Sequence, residues 1–184
     1  MKKSILILSL VLCNLIVNAQ GKFFTRTGHI SFFSEAPLEN IEAHNNQATS
    51  ILNTDNGEIV FSVLMKGFEF EKALMQEHFN ESYVHSDKYP KASFKGQIDD
   101  YSKIDLSKDG EYEVTVSGEL EIHGEKKNYT ANGKLVRKGD RIKADSKFNV
   151  KVADHGVKIP AGKAENISNE IEITVDMNYE PYSK

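Results

Sequence analysis

Tryptophan is absent from this chain of 184 residues, and only one cysteine and four prolines occur. A single thiol, Cys13, cannot supply a disulfide framework or a zinc site built from several thiolates. So few prolines, beside 39% hydrophobic residues, exclude a low-complexity or largely disordered chain. Positive charge is not in excess either. With 23 Lys and Arg against 27 Asp and Glu the net charge is −4, whereas a nucleic-acid binder presents a clustered basic surface. No Gly-rich strand-to-helix loop could cradle phosphate, and no serine stands in a nucleophile-elbow context. Long apolar runs are missing beyond the first twenty residues.

Those twenty read as a separate object. Lys2 and Lys3 precede an apolar run from Ile5 to Val17, and Val17-Asn18-Ala19 closes it with a small residue. This is the layout of an export signal, residues 1–19, cleaved between Ala19 and Gln20. The run is shorter than the roughly 20 apolar residues of a membrane span. Cys13 does not fit a lipidation site, because Leu10, Val11 and Leu12 stand where a small residue is needed. Loss of the leader leaves 21 basic against 27 acidic residues, no cysteine, and residues 20–184 as a single domain.

Alternation dominates that remainder. Tyr112, Val114, Val116, Gly118, Leu120 and Ile122 interleave with Glu111, Glu113, Thr115, Ser117, Glu119 and Glu121. The same period of two runs through Ile142 to Val152 and Ile171 to Tyr179, and more weakly through 24–33, 41–53, 59–65, 92–98 and 129–135. One apolar and one charged face per segment is the mark of half-buried antiparallel strands. Asp55-Asn56-Gly57, Asp109-Gly110, His123-Gly124 and Gly139-Asp140 supply turns between them. About eight strands result, enough to close a small barrel. Segments of twelve residues reach about 40 Å at ~3.4 Å per residue, which implies a deep interior. One stretch breaks the rhythm: Phe70, Ala73, Leu74 and Glu77 follow helical spacing and predict a short helix over 71–79. The Gly- and Pro-bearing stretch 154–168 is a long connection of the kind that borders a cavity mouth.

Two further stretches carry a resemblance. Leu74-Met75-Gln76-Glu77-His78-Phe79-Asn80 followed by Tyr89-Pro90-Lys91-Ala92-Ser93-Phe94-Lys95-Gly96, and Gly118-Glu119-Leu120-Glu121-Ile122-His123-Gly124-Glu125-Lys126-Lys127, resemble segments of the YceI-like polyisoprenoid-binding family. His29-Ile30-Ser31-Phe32 is similar to its opening strand. The resemblance spans roughly residues 25–179 and implies an all-β fold. That fold is an extended eight-stranded antiparallel barrel, lipocalin-like, with one short helix. It also implies an exported protein, in the periplasm or cell envelope of a bacterium or secreted, that binds a long isoprenoid, quinone-like or other amphiphilic lipid.

Inward positions follow from the alternation, and the cavity wall is expected at Ile30, Phe32, Phe61, Val63, Phe94 and Val116. Gly118, Ala144, Ser146, Phe148, Ile173 and Val175 complete it. Small residues among these either complete the taper of a filled core or leave room for a ligand, and barrels do both. A filled-barrel structural or protein-interaction module therefore stands as the second reading. No metal, catalytic residue or cofactor is expected. His29, His44, His78, His85, His123 and His155 lack the spacing that places two imidazoles on one ion, and His123 reads as a turn residue bonding backbone. The carboxylates at 111, 113, 119 and 121 share one strand face, where solvation is the default reading. The partner is a hydrophobic small molecule or lipid, not nucleic acid, with monomer and dimer both compatible. N-terminal sequencing of protein recovered from the native host is expected to begin at Gln20; Met1, or a lipid on Cys13, would overturn the leader.

Overall fold

The computed structural model describes residues 21–182, so the export signal at 1–19 lies outside the described residues. The hairpin that follows the alternating segment 111–122 shows how local sequence sets the architecture. Strands β6 (Gly110–Ile122) and β7 (Glu125–Lys138) are joined by His123 and Gly124, whose φ values of 53° and 79° are both positive. Such a two-residue turn matches the right-handed twist of the strands it connects. At Gly124 a side chain is excluded twice, since a Cβ there would also stand 2.6 Å from the Tyr89 ring.

The remaining strands are β1 (Lys22–Glu35), β2 (Asn40–Asn53), β3 (Glu58–Leu64), β4 (Glu69–Phe70), β5 (Lys91–Ile98), β8 (Arg141–Lys151) and β9 (Glu170–Pro181). They pair antiparallel in the order β1-β9-β8-β7-β6-β5-β3-β2, and β1 pairs with β2 to close an eight-stranded barrel. The two-residue β4 adds beside Ala43 and His44 of β2. The outer face is held in register by opposite charges: Lys126 bonds Glu119 at 2.9 Å, Lys147 bonds Glu172 at 2.8 Å and Lys143 reaches Asp176 at 3.2 Å. Glu119, Lys147 and Glu172 thus point outward, as the alternation requires.

Alternation is weak in 24–33 and 41–53 for a specific reason. Thr25 pairs with Ser50 but Gly28 with Ala48, which gives β1 one extra residue; Ile30 then pairs with Asn45, which gives β2 one extra residue. These bulges reverse which parity faces inward, so Phe23 and Thr25 are buried below them and Gly28, Ile30 and Phe32 above. Asn45, fully buried at the β2 bulge, accepts from the Gln47 amide and donates to the Leu64 carbonyl.

The predicted helix is shorter at its start than the spacing suggests. Helix α1 spans Ala73–His78, and residues Phe79–Tyr83 continue it as one wider turn with Val84 N–H bonding the Phe79 carbonyl. Lys72 keeps an extended backbone, which delays the start, and the wide turn aims Phe79, Tyr83 and Val84 at the barrel interior.

The interior has two unlike halves. At the end that holds the β2–β3 and β7–β8 turns, Leu52, Ile98, Ile142, Met177 and Tyr179 fill the lumen with essentially no exposure. Gly28 has no side chain because the Met177 thioether occupies the space a Cβ would need. The Tyr179 hydroxyl donates to Ser50 Oγ at 2.6 Å, leaving Ser50 to donate to the Val60 carbonyl. Burial pushes the Tyr179 hydroxyl far above the usual tyrosine range. The folded state therefore keeps this proton while the unfolded chain releases it above pH ~10, so stability is lost as pH rises through that range. Tyr179→Phe is expected to cost about 0.5–1.5 kcal/mol at neutral pH, and its deficit against wild type should shrink above pH ~10. Urea midpoints measured on both proteins across that range check both statements.

Candidate functional site

Above the packed floor the side chains stop filling the barrel. A cavity of about 320 Å³ runs up the lumen toward the end capped by α1, within the range of small-molecule sites. Along β6 its wall runs from Val114 to Ile122, and along β8 and the following residues from Ala144 to His155. Of the inward positions expected from alternation, Ile30, Phe32, Phe61, Val63, Phe94 and Val116 lie on this wall, as do Ala144, Ser146, Phe148, Ile173 and Val175.

Gly118 does not. It pairs with Gly96 of β5, and the Phe94 ring lies over both glycines, 2.7 Å from the position of a Gly118 Cβ. The two glycines make room for an aromatic ring packed flat on the sheet, so their function is close approach and not free space. Ser146 has a second task as well: its hydroxyl donates to the Asn132 carbonyl at 2.7 Å. Only Ala144 of the three small positions is a plain spacer, on the cavity floor opposite Leu135 and Met177.

Alternation could not reveal the ceiling, most of which is built outside the long strands. Phe68, Phe70 and Phe79 converge on Phe32 with ring centroids 5.1–5.7 Å apart. This aromatic cluster contributes contact area together with the edge-to-face preference of its rings. Met75 and Tyr83 join it, and Val157, Ile159 and Ile167 arrive from the connection between β8 and β9. Phe70 and Phe79 stood in the sequence as a helical-period signal; Phe68, in a short turn before β4, carried none.

Polar groups gather at the rim. Glu39, half-buried, accepts from Lys72 Nζ at 2.9 Å, and that bond holds its carboxyl below the usual range. His78, Lys163 and Asn166 also border the cavity. Beside the β6–β7 turn the histidines form a chain. His85 Nδ1 lies 2.8 Å from His123 Nε2, and His123 Nδ1 lies 3.1 Å from the His155 carbonyl. His155, buried to 1% exposure, places Nδ1 3.0 Å from the Glu125 carbonyl and Nε2 3.2 Å from the Tyr129 hydroxyl. A carbonyl only accepts, so Nδ1 of both His123 and His155 carries the proton, and Tyr129 donates to His155. His123 is thus a turn residue bonding backbone, as its position suggested, but the backbone belongs to a distant loop. His29 and His44 make a second pair at 3.1 Å on the outer face. Among the described residues no group of three or more His, Cys, Asp or Glu is placed to hold a metal ion.

The interior is therefore an apolar tube with a sealed floor, an aromatic ceiling and a polar rim, suited to taking up a hydrocarbon chain. Among solved structures the chain is similar to a polyisoprenoid binding domain from Saccharophagus degradans implicated in plant cell wall breakdown. The TM-score is 0.76 at 16% identity, covering 88% of this chain and 99% of that one. It is also similar to Burkholderia cenocepacia BcnA, with TM-score 0.69, 15% identity and coverage of 82% and 95%. A Campylobacter jejuni YceI protein matches with TM-score 0.64, 14% identity and coverage of 81% and 90%. At these identities the likeness concerns the fold. No curated protein matches in sequence. The family model for the YceI-like domain matches residues 14–179, and the chain belongs to that family.

Proposed function

We propose that this protein is a binding protein of the bacterial envelope or exterior that holds a long-chain amphiphile, isoprenoid or quinone-like, in the upper half of its barrel. The observation that carries this reading is the wall of the cavity, which is almost wholly aliphatic and aromatic and is closed below by Leu52, Ile142 and Met177. Affinity then comes from burying hydrocarbon, about 0.8 kcal/mol per CH₂, with few polar contacts needed. Membership of the family and likeness to a polyisoprenoid binding domain support the same ligand class. The leader read from residues 1–19 supports export. Binding without catalysis is favoured because the titratable groups near the cavity are dispersed, with Glu39 tied to Lys72 and His155 to the Glu125 carbonyl. A barrel filled by its own side chains, the competing reading, fits the lower half of the lumen and not the upper.

Native mass spectrometry of protein purified from its own host is expected to show a bound hydrophobic molecule. Ala144→Leu separates cavity from core. If the space above Ala144 is a ligand site, the stripped protein keeps its melting midpoint while lipid retention falls. A loss of about 1–3 kcal/mol in the stripped protein, the cost of overpacking a dense interior, would overturn the reading, as would a wild type that takes up no hydrophobic ligand.

A further inference from the structure

The barrel wall is not equally closed all round. Strands β6 and β7 pair over thirteen residue pairs and β8 and β9 over ten. Strands β5 and β6 pair over six because β5 is short, but β7 and β8, both long, also pair over only six, from Lys138–Arg141 to Gly133–Ser146. Both strands run on past that last pair, β7 back to Glu125 and β8 on to Lys151, without pairing to each other. Had the register continued, Ala131 would face Phe148 and Tyr129 would face Val150. Instead the ladder is ended by Ser146, whose hydroxyl takes the Asn132 carbonyl that a backbone amide would otherwise bond.

On the outer face Lys134 stands directly across from Asp145 within the paired stretch, and no ion pair among the described residues joins the two strands beyond it. The ion pairs that staple β6 to β7 (Lys126–Glu119, Lys134–Glu111) and β8 to β9 (Lys147–Glu172, Lys143–Asp176) have no counterpart between β7 and β8 among the described residues. The wall is thin at the fork. Lys134 and Asp145, which belong to the outward parity of their strands, border the cavity there beside inward Gly133 and Ser146. Tyr129, Ala131, Phe148 and Val150 on the two separated edges all line the cavity.

What covers the gap is the segment between β8 and β9. Its first turn, Val152–His155, lays the buried His155 against the β7 edge. There the imidazole bonds the Glu125 carbonyl and the Tyr129 hydroxyl and stacks on the Tyr129 ring at 5.7 Å. Gly156, with φ 67°, then turns the chain away.

The geometry points to the β7–β8 fork as a lateral gateway into the cavity, latched by Tyr129 and His155, through which a single long apolar chain enters from the side of the barrel. The inference rests on the lipid-binding reading and extends it to the route and to the shape of ligand that fits: a linear chain able to lie along a slit. The two strands are tied by a two-residue turn at Gly139-Asp140, so parting them above Ser146 breaks no ladder bond, only the latch and the contacts Tyr129 makes with the Phe148 ring and the Lys151 backbone.

The test measures uptake and release of cis-parinaric acid, a linear polyene fatty acid whose fluorescence rises on burial, by stopped flow. Ala131→Cys with Phe148→Cys places a thiol on each edge, in a chain whose native thiol is Cys13 alone, within the predicted leader. Closing that pair as a disulfide is expected to slow uptake and release together, severalfold, relative to the same variant reduced, with the rates restored on reduction. Tyr129→Phe, which keeps the ring and removes the bond to His155, is expected to speed both. A tied protein that exchanges the probe as fast as its reduced form overturns the gateway. If the pair does not close, unchanged rates in Tyr129→Phe overturn it equally. A wild type that never takes up the probe overturns the lipid-binding reading itself, and the gateway with it.

Discussion

Closure through β1 is the constraint on which the rest of the molecule depends. One strand pairs with β2 on one side and β9 on the other, so the outer strands of the sheet meet and the barrel closes. Once closed, the lumen must either be filled or left open, because strand number and tilt fix its width. This chain does both. It spends its bulky and branched residues at one end and its aromatic rings as a ceiling at the other, with the cavity between them. A dense floor supports a hollow chamber because the two share strands, so the packing below holds the register of the strands above.

How much of this could be read in advance depended on the element. In β6, β8 and β9 the side-chain period equals the strand period, so Val116, Phe148 and Ile173 could be assigned inward from alternation alone. In β1 and β2 the paired bulges insert one residue each and reverse parity midway, which blurred the same signal. At Gly118 alternation reports the face of the residue and not what lies over it, the Phe94 ring supplied by the neighbouring strand. The ceiling and the latch were illegible for a related reason. Phe68, Tyr129 and His155 gain their roles from contacts between segments far apart in sequence, and His155 from a loop with no period at all.

The histidines show how hydrogen-bond direction can replace a metal as an organising device. His85, His123 and His155 lie on three separate connections, and their links join two of them, or join one to backbone or to the Tyr129 hydroxyl. Two of those residues, His85 and His123, sit at positive φ, a conformation costly enough for non-glycine residues to need support from its surroundings. The chain of bonds supplies that support, and it fastens the loop after α1, the β6–β7 turn and the β8–β9 connection to one another at the open end.

The matched bulges at Thr25–Gly28 and Ala48–Asn45 carry an evolutionary consequence. Removing the extra residue from β1 alone would invert every side chain on one side of the bulge, turning Ile30 and Phe32 toward solvent or Phe23 and Thr25 away from the floor. The same holds for β2. Deleting both together would restore pairing while rotating both half-strands in step, which still mismatches β3 and β9. Length change in this hairpin is therefore closed to single steps, and relatives of this protein should conserve the spacing of the two strands even where few of their residues agree.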